Sequence, residues 1–217
     1  MSDIFNEVDE ELRREQLKKL WDRYGILIIA AAVLLVAAVG GWRGYQWWEA
    51  KKAAEAGAAF EAAAVLVEQG KHQEAEAAFA KIAVDGTSSY RVLAKLREAA
   101  ALAQRDPKAA VTMYDGLAND RSLDQIRRDL AALRAAYVLV DTASYDELKS
   151  RIEPLTAADR AFRHSARALL ALAAWHGSNI PELRRWTELV MADPSTPSNT
   201  RNQVEMLTAL AGADSKG

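Results

Sequence analysis

The sequence predicts an all-α protein: an N-terminal amphipathic arm and a single transmembrane helix, then an α-α solenoid of about four helical hairpins with a C-terminal helix. Three observations predict it. Strand-favouring residues are too dilute and too irregularly placed to alternate at period two, in a chain dominated by alanine and only 7 % aromatic. No residue from Tyr24 to Trp42 is charged. Beyond that run, helical patterns alternate with short breaks, and one trio of side chains recurs at a fixed interval. With 217 residues, 50 % of them hydrophobic, the chain can bury a proper core, which excludes a disordered tail. Cysteine is absent, and disulfides, thiolate nucleophiles and cysteine metal sites are excluded with it.

The first element is the arm, residues 1–23. Phe5, Val8 and Leu12 fall at helical spacing on one face, followed by Leu17, Leu20, Trp21 and Tyr24, with charges between them. Two readings are open: a lead-in resting on the membrane surface, or a docking helix for a cytoplasmic partner. Up to Tyr24 there are five basic and seven acidic residues, against totals of 28 and 30, so the remainder carries 23 of each sign. A balanced remainder has no electrostatic reason to seek nucleic acid, and pairs such as Arg127-Arg128 and Arg184-Arg185 read as solvated helix faces.

The second element, residues 24–42, is the span. Ile26, Leu27, Ile28, Ile29, Val33, Leu34, Leu35, Val36 and Val39 cover every side of a helix rather than one stripe. Nineteen helical residues rise about 28 Å, close to the hydrocarbon thickness of a bilayer, and a helix satisfies its own backbone groups as lipid requires. Trp21 and Tyr24 stand at one end and Trp42, Tyr45, Trp47 and Trp48 at the other, where amphipathic rings favour the headgroup region. A buried core helix would be amphipathic and would lack such belts. A cleaved signal peptide is the other alternative, with Ala38-Val39-Gly40 as its cut, but the preceding region is long and acidic. Five Lys and Arg precede the span, and Arg43, Lys51 and Lys52 follow it; that bias places the N-terminus in the cytoplasm and residues 43–217 across the membrane, in the periplasm of a Gram-negative host. Gly40 and Gly44 form a G-x-x-x-G at the far end of the span, a spacing open to self-association into a homo-oligomer.

Helices are expected near 49–69, 71–83, 88–104, 107–118, 123–140, 144–153, 157–176, 180–191 and 198–211. They are separated by Gly70, Asp85-Gly86-Thr87, Asp106-Pro107, residues 141–144, Gly177-Ser178-Asn179 and Asp193-Pro194, and Pro154 ends a helix. Pro107 and Pro181 sit where a first-turn proline costs nothing. Links of two to five residues make neighbouring helices antiparallel. After Gly70 come Ala75, Phe79 and Ile82, and the same small, aromatic, aliphatic order returns as Ala110, Tyr114 and Leu117, each 35 residues on. Leu148, Ile152 and Leu155 continue more loosely, and Gly177 with Leu183, Trp186 and Leu189 opens a fourth hairpin. Tetratricopeptide repeats have a period of about 34, with a small residue where helices touch and a ring filling the groove to the next hairpin. Such hairpins cannot bury their faces alone; stacked, they make a concave binding surface.

The opening MSDIFNEVDEELRREQLKKLWDRYG, the GGWRGYQWW that ends the span, the GKHQEAEAAFAKIA hairpin and the HSARALLALAAWHG, LRRWTELV and DPSTPSNTRNQ stretches resemble the bacterial ancillary Sec translocon subunit family. The resemblance implies a single-span inner-membrane protein, N-terminus inside. Its periplasmic repeat domain would associate with the SecYEG channel and membrane-bound folding factors and help newly exported client chains. Two departures are Pro181-Glu182, where the family carries small residues, and the AGADSKG tail.

No catalytic constellation is visible. Of the three histidines, His72, His164 and His176, the last two stand twelve apart with no carboxylate at ligand spacing, and no phosphate loop, nucleophile elbow or zinc motif occurs, so neither an enzyme nor a cofactor is expected. Two function classes stay open: a membrane-tethered scaffold whose groove binds partner or client segments, and a structural envelope or oligomerisation protein without chaperone activity. In the first, Tyr90, Arg91, Arg97, Arg134 and Tyr137 are the candidate partner-binding residues, because first helices of repeats line the concave side; Tyr90 and Tyr137 also fit as core rings.

Overall fold

The computed structural model describes residues 3–214, with side chains described over 21–212 and at Arg14 and Lys18. The described residues are helical almost throughout: α1 (Asp3–Glu68), α2 (His72–Asp85), α3 (Ser88–Leu102), α4 (Pro107–Ala118), α5 (Gln125–Leu139), α6 (Tyr145–Ile152), a 3-10 turn (Glu153–Thr156), α7 (Arg163–His176), α8 (Ile180–Ala192) and α9 (Ser198–Asp214). The chain divides after Glu55 into two compact units.

In the first unit the arm, the apolar run and the following residues form one uninterrupted helix rather than separate elements. Trp21–Glu68 is long and apolar enough to cross a membrane, and its most apolar window has a mean hydropathy of 2.5. That window is only 6 % buried, and Ile26, Leu27, Val33, Leu34 and Val36 are exposed on all sides, which is the opposite of a core helix. Lys52 lies 3.9 Å over the Trp48 ring and Lys51 5.7 Å over Trp47, so the aromatic belt carries its cations with it. A Cβ added at Gly40, Gly41 or Gly44 would meet nothing within 4 Å. The side chains of Phe5, Val8, Leu12, Leu17 and Leu20 lie outside the described residues.

The second unit begins with the last turns of α1. Gly70 closes that helix at φ +73°, where Gly70 N–H reaches the Val67 carbonyl at 2.9 Å and Lys71 N–H the Leu66 carbonyl at 2.9 Å. That left-handed turn favours glycine, which has no Cβ to crowd it. Gly70 is exposed and therefore makes the turn rather than a packing contact. Asp106, Asp124, Ser144 and Asn179 cap α4, α5, α6 and α8 by accepting from backbone N–H groups, and Pro107 and Pro181 occupy first turns.

Three apolar clusters follow the chain. The end of α1 packs with α2 and α3 around Ala63, Ala75, Phe79, Ile82 and Ala94; Phe60 meets Phe79 edge-on with ring centroids 5.2 Å apart. Ala99, Val111, Tyr114, Leu117, Ala131 and Ala135 join α3, α4 and α5. The largest cluster unites α5 to α9 around Leu148, Ile152, Leu169, Leu170, Leu183, Trp186 and Val204. Extensive packings join α2 to α3, α4 to α5 and α7 to α8, and α4, which carries Ala110, packs more on α5 than on α3. After α6, Pro154 lies in the 3-10 turn, and the following helix starts only at Arg163, not at 157.

Ion pairs staple elements that are distant in sequence. Arg105 holds Glu76 at 2.9 Å, Arg151 holds Asp115 at 2.9 Å, and Arg160 holds the buried Asp129 at 3.2 Å. Tyr145 donates to Glu182 and accepts from Trp186 Nε1 at 2.8 Å, tying α6 to α8. Glu182 is thus the acceptor for a half-buried phenol.

Candidate functional site

A groove of about 320 Å³ opens in the second unit, lined by Phe60 of α1, Leu93, Leu96, Arg97 and Ala100 of α3, Tyr114 of α4, and Leu130 and Arg134 of α5. Its construction follows from helical periodicity. Residues 93, 96, 97 and 100 share one face of α3, and 130 and 134 share one face of α5. Those are the faces left over when Ala94, Ala99 and Ala101 of α3, and Ala131, Ala135 and Ala136 of α5, turn into the cores. Tyr114 fills the floor at 2 % exposure, and its hydroxyl donates to the Leu96 carbonyl at 3.2 Å. Burial pushes its phenol pKa up, while the positive charges of Arg134 and Arg97 pull it down.

The candidate binding residues do not form one surface. Arg97 and Arg134 line the groove. Tyr137 is 44 % exposed, less than one turn beyond Arg134, and is no core ring; its pKa too is raised by burial and lowered by Arg134. Tyr90 packs with Phe60, ring centroids 5.9 Å apart, and a Cβ added at Gly57 would come within 2.9 Å of its hydroxyl. Arg91 lies on the other side of α3, in a second cavity of about 370 Å³ with Ser88, Lys95, Asp120, Ser122 and Arg127. Leu96, Leu130 and Phe60 were missed in the sequence; each reads there as one more apolar residue in a stripe, and only the stacking of hairpins separates core from groove.

The repeat residues lie where helices meet: Ala75, Phe79, Ala110, Leu148 and Ile152 are fully buried, Tyr114, Leu183 and Trp186 at 1–2 % exposure, and Ile82 and Leu117 at 5–6 %. Gly177 is exposed at the end of α7. Among the described residues no three metal-ligating side chains gather. His164 instead belongs to a polar network between α7 and the connection that joins α8 to α9. Thr196 donates to the Val190 carbonyl at 2.8 Å and so accepts from His164 Nδ1 at 3.0 Å, which fixes the proton on that nitrogen. Asp193 accepts from Ser195 Oγ at 2.6 Å and from Arg163 at 3.0 Å, which holds its carboxyl far below the usual range.

The family model for the tetratricopeptide repeat-like domain matches residues 18–169. The ancillary SecYEG translocon subunit of Haemophilus influenzae (strain ATCC 51907 / DSM 11121 / KW20 / Rd) is 26 % identical to this chain over 145 residues, covering 67 % of this chain and 71 % of that protein. No solved structure matches. The family match begins before the apolar run, ends inside α7 and takes in every residue of the groove; with more than half of its length matched, the chain belongs to the tetratricopeptide repeat-like domain family.

Proposed function

We propose that the protein is a membrane-anchored interaction scaffold of a bacterial inner membrane, whose groove holds segments of partner or exported chains beside a Sec translocon. In this reading residues 1–23 are cytoplasmic, 24–42 span the bilayer and 43–217 are periplasmic. The groove between α3, α4 and α5 carries the proposal: it is open, floored by apolar side chains and supplied by repeat helices that bury their other faces. Contacts of that kind give modest buried area and fast exchange, which suits a transient hold on a passing chain. The relative's name supports the translocon as the neighbour, and the exposed apolar helix supports the anchor. No catalytic role is included, and the repeat-like domain supports a role in protein interaction instead.

The test uses the full chain in detergent. It is expected to co-purify translocon components and to slow the aggregation of an unfolded exported protein, and Leu93→Asp with Leu130→Asp is expected to abolish the second effect. Co-purification without any effect on the unfolded protein would favour the structural envelope reading. The mature chain is expected at its full mass, because cleavage after residue 40 would remove the anchor.

A further inference from the structure

We infer that the groove selects acidic amphipathic protein segments, seating apolar side chains on its floor and carboxylates on Arg97 and Arg134. The inference rests on the groove being a binding surface and adds what it prefers to bind. No carboxylate lines the groove, whereas two guanidiniums do. Elsewhere in this unit several arginines are already committed to carboxylates, Arg105 to Glu76, Arg127 to Asp124, Arg151 to Asp115, Arg160 to Asp129, Arg163 to Asp193 and Arg185 to Glu182, and are not available to a bound segment. Among the described residues Arg97 and Arg134 have no such partner.

A segment laid on Leu93, Leu96, Tyr114 and Leu130 removes water from both guanidiniums. An arginine cannot shed its charge, so a neutral segment strands two desolvated cations and a basic one adds repulsion. Glutamate or aspartate at helical spacing with leucine-like residues supplies charge-assisted, fork-shaped hydrogen bonds at the moment the floor is covered. The apolar floor supplies adhesion, and the cations supply the choice.

The experiment titrates the full chain in nanodiscs of neutral lipid with three acetylated peptides. They share a leucine stripe and differ only in carrying glutamate, glutamine or lysine at two flanking positions. The glutamate peptide is expected to bind about tenfold more tightly than its glutamine twin at low salt, with the gap closing as salt rises. R97E/R134E is expected to invert the order in favour of the lysine peptide, an outcome that an unfolded variant cannot give. Equal binding of all three peptides, or an unaltered order in R97E/R134E, overturns the acidic preference and leaves the groove standing. Binding by none of them, or binding indifferent to Leu93→Asp, removes the groove reading itself. Displacement of the glutamate peptide by phosphatidylglycerol vesicles also overturns the preference, in favour of a lipid headgroup.

Discussion

Ser178 takes φ +52° just after α7, while its N–H reaches the Trp175 carbonyl at 2.9 Å and Asn179 N–H reaches the Ala174 carbonyl at 2.8 Å. This is the same left-handed helix stop that Gly70 makes after α1, occupied here by a residue with a Cβ, although a glycine stands one position earlier. Ser178→Gly is therefore expected to raise unfolding stability by about 1 kcal/mol in denaturant titrations, because the penalty on the left-handed conformation is removed. His164 yields a pH prediction. Desolvation lowers its pKa, and Arg163, Arg167 and Arg201 lower it further against the opposing pull of Asp193. The neutral imidazole donating to Thr196 is thus the form the fold prefers. Stability is full above the unfolded histidine value of about 6.5 and falls as pH drops through and below it, because the unfolded chain then takes up the proton more readily. His164→Asn, whose amide can still donate to Thr196, is expected to flatten the loss of midpoint denaturant concentration between pH 7 and pH 5. An unchanged slope would remove His164 as the titrating group. The carboxyl of Asp193 is likewise depressed, so its contribution is present above about pH 3.8 and is lost only below that.

Alanine sets the spacing between helices in this fold. Ala75 is fully buried in α2, at the layer that joins it to α3, so Ala75→Leu is expected to cost about 1–3 kcal/mol through overpacking. Ala77→Leu on the exposed face of the same helix is expected to stay within about 0.5 kcal/mol. Equal effects at the two positions would deny that α2 is oriented as described. Most of the helices were legible because their signals are local: Asp106, Ser144 and Asn179 stand in expected breaks and cap by side chains that bond three residues ahead, and Pro107 and Pro181 fit first turns, whereas Asp124, the cap of α5, fell inside a helix expected from 123. The repeat trio was legible because Phe79 and Tyr114 fill equivalent grooves. What escaped was long-range. The start of α7 at Arg163 follows a connection in which Arg160 reaches back to Asp129, 31 residues away. Glu182 likewise serves Tyr145, 37 residues away. The groove was half legible for the same reason: Arg97 and Arg134 could be placed on first helices, but Arg91 turns to the opposite side of α3, and Tyr90 is taken up by Phe60.

At the scale of the molecule, the N-terminal unit is a helix dressed for lipid, and the C-terminal unit is a stack of hairpins whose cores are closed by alanine and stapled by ion pairs. With the proposed anchor, any role that joins the two depends on which side of the bilayer the hairpins occupy. The bias in Lys and Arg, five before the span against Arg43, Lys51 and Lys52 after it, argues for an inward N-terminus. Positive residues flanking a span resist translocation, and the three that follow it here are fewer, with Lys51 and Lys52 stacked on Trp47 and Trp48. The absence of cysteine makes the orientation directly measurable, since one introduced thiol is then the sole target of a maleimide. Ser122, exposed in the α4–α5 connection, and Ser2, near the N-terminus, are suitable positions. In intact cells with a permeable outer membrane, an impermeant maleimide is expected to modify Ser122→Cys and to spare Ser2→Cys until the inner membrane is lysed. The reverse pattern would place the repeat domain in the cytoplasm and end its proposed contact with exported chains. Release of the chain by alkaline carbonate would end the proposed anchor as well, and neither result would disturb the groove, whose walls all belong to the second unit.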